Sequence, residues 1–129
     1  MLQVKNLTIT HRGDDRELLS DFSMVLGNGD KAALIGEEGN GKSTLLKLLY
    51  DETLVDSYVE YAGEIIRNGA RIGYLAQELT KEERALGIYE FCAKSPAFYD
   101  VTPKELAAIA ARLRLSSDFF YGEGAVERL

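Results

Sequence analysis

The chain has 129 residues, 46% of them hydrophobic and 28% charged, which is the length and composition of one ordinary globular domain rather than a disordered tail or a multidomain protein. Fifteen Lys and Arg stand against 21 Asp and Glu, a net charge of −6 that repels a phosphate backbone and argues against broad nucleic-acid binding. No apolar run approaches the roughly 20 residues of a membrane span, and the start MLQVKNLTIT lacks the basic and apolar regions of a signal peptide, so a cytoplasmic chain without direct membrane insertion is expected.

Residues 2–10 alternate as a strand, but Leu7 and Ile9 are out of phase with Leu2 and Val4, which predicts a bulge near Lys5 and Asn6 and a position near a sheet edge. The polar loop 11–17 leads to a second strand through Phe22, Met24 and Leu26. Asn28-Gly29 has the composition of a tight hairpin turn with two positive φ angles, and the apolar run Ala32–Ile35 after it reads as a buried strand over 31–35.

Leu45, Leu46, Leu48 and Leu49 recur at helical spacing over 42–50 without a proline or glycine. Residues 58–66 and 71–76 are rich in strand formers and flank a second hairpin dipeptide, Asn68-Gly69. The last third is helical. Thr80 with Glu83 has capping-box spacing, and Thr102, Pro103 and Glu105 start another helix, whose stripe Leu106, Ile109, Ala110 and Leu113 is expected to pack on a core. The single cysteine, Cys92, reads as a small buried hydrophobe, and Pro96 and Pro103 lie between or at the start of helices.

Between the expected strand and helix lies Gly36-Glu37-Glu38-Gly39-Asn40-Gly41-Lys42-Ser43-Thr44, which satisfies G-x-x-x-x-G-K-[ST] in the context that this phosphate loop requires. Gly36, Gly39 and Gly41 allow positive φ and bring N–H groups close to phosphate oxygens, and the helix start adds its unpaired N–H groups and positive dipole end. Lys42 offers an ammonium to the β and γ phosphates, and the Ser43 hydroxyl is a hard ligand for Mg²⁺. Glu37 and Glu38 raise the local negative potential, so their carboxylates are expected to point outward. The plain alternative is a glycine-rich turn with no ligand.

A phosphate loop alone does not choose among ATPases, GTPases and small-molecule kinases. Two strands and some 35 residues precede this one, and no N-K-x-D guanine-reading motif occurs. Over essentially its whole length the sequence resembles the nucleotide-binding domains of the ABC ATPases: in the GKST ending, in Gly73-Tyr74-Leu75-Ala76-Gln77, which is similar to the strand and glutamine of the Q-loop, and in N-L-T-x-x followed by His11, where the family places an aromatic residue. The resemblance implies an α/β P-loop NTPase fold of ABC type with an N-terminal antiparallel β region and C-terminal helices. It also implies ATP and Mg²⁺ as cofactors, with Gln77 beside Ser43 on the metal and His11 stacked on adenine. The plain alternatives are a polar strand end for Gln77 and an ordinary loop histidine for His11.

The polar insertion, the acidic character and Ala125-Val126-Glu127-Arg128-Leu129 look most like the ABC-F branch, which implies two such domains on one chain and action on the ribosome in translation or antibiotic resistance. In the family the signature motif follows this last segment. Neither it nor a Walker B run with its carboxylates appears, so binding rather than turnover is expected of a fold truncated before the signature. The reading is a partial nucleotide-binding domain over 1–129, with a β-rich ATP-binding core at 1–79 and the start of a helical subdomain at 80–129. Its parallel-sheet strand at 32–35 would lack a neighbour, so self-association is expected beside pairing with a second ABC domain. Rival readings are an ATP-binding subunit of a membrane transporter, which the rest of the gene would distinguish, and a non-enzymatic interaction fragment, against which the intact GKST and Gln77 argue.

Overall fold

A computed structural model describes residues 1–37 and 41–122. The chain divides into two compact units, Met1–Leu75 and Ala76–Leu129.

In the first unit, β1 (Leu2–His11), β2 (Glu17–Leu26) and β3 (Val59–Ile66) form an antiparallel sheet in the order β2-β1-β3. β1 is therefore the central strand and not an edge: its two rows of hydrogen-bonding groups are used by different partners, which the alternation of its side chains alone does not reveal. The expected bulge is present. The register slips between Val4 and Leu7 against β2 and between Lys5 and Thr8 against β3. This shift returns Leu7 and Ile9 to the face of Val4, and all three are buried.

The residues at the slip explain how it is tolerated. Asn6 and Asp21 both adopt left-handed backbone, which short polar side chains accept more readily than others, and the Asn6 amide donates to Asp21 Oδ1 at 2.8 Å across the two strands. On the other side of β1, Gly63 of β3 has φ +122°, and a Cβ built there would lie 2.6 Å from the Asn6 carbonyl oxygen and 2.8 Å from Leu7 Cα. Only glycine fits against the bulge.

Helix α1 (Lys42–Tyr50) turns Leu45, Leu48 and Leu49 into one cluster with Val4, Leu7, Ile9, Val55 and Val59, as the i, i+3, i+4 spacing predicts. Arg67 holds its far end: Nε donates to the Leu49 carbonyl at 3.0 Å and Nη2 to that of Leu48 at 2.9 Å, placing a cation on the carbonyls that a helix leaves unpaired. A 3-10 turn at Glu52–Leu54 follows, capped by the Asp51 carboxylate on the Thr53 N–H.

Two expected strands are absent. Residues 31–35 and 71–76 lie in no ladder, and the expected burial of the first is overturned by Leu34 at 40% and Ile35 at 92% exposure. A strand is defined by its partner, and among the described residues neither segment has one. The Asn28-Gly29 dipeptide turns the chain with positive φ at Gly29 only, so the turn is not the doubly left-handed hairpin type and no hairpin is made there. At Asn68-Gly69 both residues are left-handed, as expected, and Ala70 N–H bonds back to the Arg67 carbonyl, yet only β3 flanks the turn.

The second unit contains α2 (Lys81–Ala85), α3 (Ile88–Ala93) and α4 (Pro103–Arg112), with 3-10 turns at Pro96–Asp100 and Phe119–Tyr121. Both expected capping boxes form. Thr80 and Thr102 accept from the N–H groups of Glu83 and Glu105, whose carboxylates accept from the threonine N–H groups in return. Of the α4 stripe, Leu106 and Ala110 are buried, whereas Ile109 and Leu113 are 41% and 61% exposed, so only half of it packs as expected. The Cys92 thiol is half-buried, and that burial pushes its pKa up, away from reactivity. Among the described residues no helix is long and apolar enough to cross a membrane.

Candidate nucleotide site

The site is assembled from the start of α1. Gly41 is the N-cap residue, with φ 78°, and has no side chain to occupy the helix end. The first intrahelical bond is Leu45 N–H to the Gly41 carbonyl at 2.9 Å, which leaves the N–H groups of Lys42, Ser43 and Thr44 at the helix end. A Cβ on Gly41 would stand 3.0 Å from both Cβ and the carbonyl oxygen of Leu18, so backbone angle and space both call for glycine. Gly36, expected to share this freedom, is not among the positive-φ residues and lies in the irregular approach to the loop. Glu38, Gly39 and Asn40 lie outside the described residues, as does the segment Ala125–Leu129.

Lys42 reaches back over the loop. Its Nζ donates to the carbonyl oxygens of Gly36 and, at 2.8 Å, of Glu37. Glu37 itself is exposed, in keeping with an outward carboxylate, and Ser43 is exposed at the helix start. An ammonium, three backbone donors and a hydroxyl at one helix end suit a polyphosphate and its cation, so the residues present fit the nucleotide that the sequence implies.

The contact of Gly41 with Leu18 fixes where the helix start stands against the sheet. Leu18 lies between Glu17 and Leu19, the partners of Thr10 and Ile9, and His11 follows Thr10. The structure thus places the β1–β2 connection carrying His11 at the same end of the unit as Gly41. His11 is half-buried, and its Nδ1 sits 3.0 Å from Asp14 Oδ1 and 3.2 Å from the Gly13 backbone nitrogen. The Asp14 carboxyl is held below its ordinary value, first by the Arg16 N–H and then by His11. Arg12 ties this loop down by donating to the Asp56 carbonyl at 2.9 Å and to Glu60 at 2.8 Å.

Gln77 belongs to the second unit, exposed in the bend before α2. The two partners that sequence reasoning did not single out are Asp14, beside the histidine, and Arg67, behind the helix. A carboxylate three residues from a loop histidine offered a signal, whereas nothing local to Arg67 pointed to α1. Among the described residues no group of three or more His, Cys, Asp or Glu side chains is placed to hold a metal ion.

A glycine-led helix start beneath a reaching lysine, on an α/β chain, defines a P-loop NTPase. The ABC transporter family model matches residues 19–118, and the chain belongs to that family. Similar proteins include the tylosin resistance ATP-binding protein TlrC of Streptomyces fradiae, 46% identical over 79 residues, which covers 60% of this chain and 13% of that protein. The ATP-dependent lipid A-core flippase of Pseudomonas putida is 41% identical over 71 residues, 55% of this chain and 11% of the flippase. The metal-staphylopine import system ATP-binding protein CntD of Staphylococcus aureus is 35% identical over 88 residues, 68% of this chain and 32% of CntD. The chain therefore spans a third or less of the length of each. ATPase domains of the family typically work in pairs and use ATP with Mg²⁺.

Proposed function

We propose that this chain is the ATP-binding N-terminal part of an ABC-type ATPase. The observation that carries the reading is the Lys42 ammonium turned back onto the Gly36 and Glu37 carbonyls, beside a helix whose first turn has no side-chain cap. In this reading Lys42 and the loop residues Gly36, Glu37, Glu38, Gly39, Asn40 and Gly41 surround the β and γ phosphates, and the N–H groups of Ser43 and Thr44 extend that cradle. The Ser43 hydroxyl and the Gln77 side-chain oxygen serve Mg²⁺, and His11 stacks on adenine. The partner is a second ABC ATPase domain, and the setting is cytoplasmic.

Within the family we place the chain in the ABC-F branch, acting on the ribosome. Its similarity to a protein named for tylosin resistance supports this choice, since antibiotic resistance is one task of that branch. The flippase and import-system relatives favour a second reading, the ATP-binding part of a membrane transporter. We further assign to the run 32–35 an open strand edge through which this chain self-associates.

The phosphate site is tested by titrating the chain and its Lys42→Ala variant with a non-hydrolysable Mg²⁺-ATP analogue. Removing a charge-assisted donor weakens binding by an expected tenfold or more, roughly 1.4 kcal/mol or above. Equal affinities for the two proteins would remove the phosphate-loop reading.

A further inference from the structure

His11 is the only histidine of the chain, and it ends β1 where the connection to β2 begins. That connection is built around its ring. The His11 N–H donates to the Arg16 carbonyl at 2.8 Å, which ties the two ends of the loop together. Asp14 turns its carboxylate to the ring: Oδ1 accepts from the Arg16 N–H at 3.2 Å and lies 3.0 Å from His11 Nδ1. Gly13 stands against the same atoms. Its nitrogen is 3.2 Å from Nδ1, and a Cβ there would be 3.2 Å from Cε1, so a larger residue would press on the imidazole. The loop is anchored in turn by Arg12, whose N–H donates to the Tyr58 carbonyl at 2.9 Å and whose guanidinium holds Asp56 and Glu60.

This grip on a half-buried ring bears on what the ring can do. A side chain ordered only when its ligand arrives loses rotamer freedom at that moment, and the loss is of the same order as the gain from an aromatic stack. An imidazole has less π surface than a phenol ring, so its stack has little to spare. A ring already held by its neighbours meets that loss during folding instead. With a proton on Nδ1 the contact to Asp14 is a donor to a carboxylate whose ionised form the Arg16 N–H favours, which is the stronger type of hydrogen bond. A hydrogen bond at Nδ1 lies near the plane of the ring, so it fixes the ring's orientation without occupying a face.

We propose that Asp14 is a positioning residue for base recognition: its carboxylate holds the His11 imidazole in the orientation that stacks on the nucleotide base. The proposal rests on the reading of His11 as the stacking residue and adds the group that makes so small a ring effective there. In it Asp14 has no part in holding the phosphates, and that division supplies the test.

The full chain and its Asp14→Ala variant are titrated with a non-hydrolysable Mg²⁺-ATP analogue and with Mg²⁺-tripolyphosphate, which carries the phosphates without the base. Asp14→Ala should weaken the analogue by about three- to tenfold and leave tripolyphosphate unchanged. In a His11→Tyr background the same substitution should change neither affinity, since a phenol ring has no Nδ1 for the carboxylate to hold. The lone histidine also gives a direct reading by NMR: in the complex with the analogue its ring protons should move upfield and Nδ1 should carry a proton. Equal affinities of Asp14→Ala and the parent for the analogue overturn the proposal. A loss shared equally by both ligands, or one that persists beside His11→Tyr, makes Asp14 a structural loop residue and overturns it as well. So does an Nδ1 without a proton in the complex, which the parent alone reveals even if Asp14→Ala fails to fold. Ring protons that ignore the bound analogue overturn the stack and the positioning role together, and leave the phosphate site to the Lys42→Ala titration. A parent that binds neither ligand overturns the nucleotide reading itself.

Discussion

Lys42 donates to two neutral carbonyl oxygens of its own loop, and each is a weaker acceptor than a phosphate oxygen. The same ammonium can therefore exchange one set of partners for a better one without leaving the loop. His11 shows a comparable choice at one atom: Nδ1 accepts from the Gly13 N–H when it carries no proton and donates to Asp14 when it does. Glu105 is the residue whose titration is easiest to isolate, because its carboxyl is held below its ordinary 4.5 first by the Thr102 N–H and then by the Thr102 hydroxyl. The native state thus binds this proton less readily than the unfolded chain, so the stabilisation is present above the ordinary carboxylate range and lost as pH falls through the lowered value. Glu105→Gln keeps a neutral acceptor at the cap. Its melting temperature should fall less than that of the parent between roughly pH 5 and 2, read by circular dichroism; parallel curves would dissociate Glu105 from the acid response.

Elements whose cause lies within a few residues were legible in the sequence, and those that need a distant partner were not. The α1 leucines, the two Thr–Glu capping boxes and the phase slip in β1 are local signals, and each element formed where it was expected. For 31–35 and 71–76, residue preference favoured a strand but could not supply a neighbouring one, and the central place of β1 likewise depends on β3, some 50 residues onward. Gly63 is the clearest case of a non-local demand: nothing in E-Y-A-G-E-I-I announces that the bulge at Asn6 will press against it. Gly63→Ala should cost about 3 kcal/mol, since both the backbone angle and the contact must yield. Chemical denaturation of the two proteins measures this, and a change under about 0.5 kcal/mol would mean that the two strands separate easily there.

At the scale of the molecule, the spelling of the loop and its place before a helix could be read directly, while the roles of His11 and Gln77 came only through family resemblance. The reason is physical: a phosphate cradle is built from consecutive residues, whereas a base-stacking or metal-facing side chain is recruited from another part of the chain, and Gln77 lies in a different unit from Lys42. The boundary between the units falls after Leu75, in a stretch of chain outside any helix or ladder where that side chain is 95% exposed. A protease must draw several residues into its cleft, and at this boundary it can do so without any sheet or helix being dismantled. Brief digestion with chymotrypsin should therefore nick the chain first beside Leu75, which mass spectrometry of the products would locate; an initial cut inside β1 or α1 would count against it. That same joint marks where a gene fragment encoding residues 1–75 could be ended, so that the phosphate-loop helix and its three-stranded sheet could be produced and studied as a minimal unit.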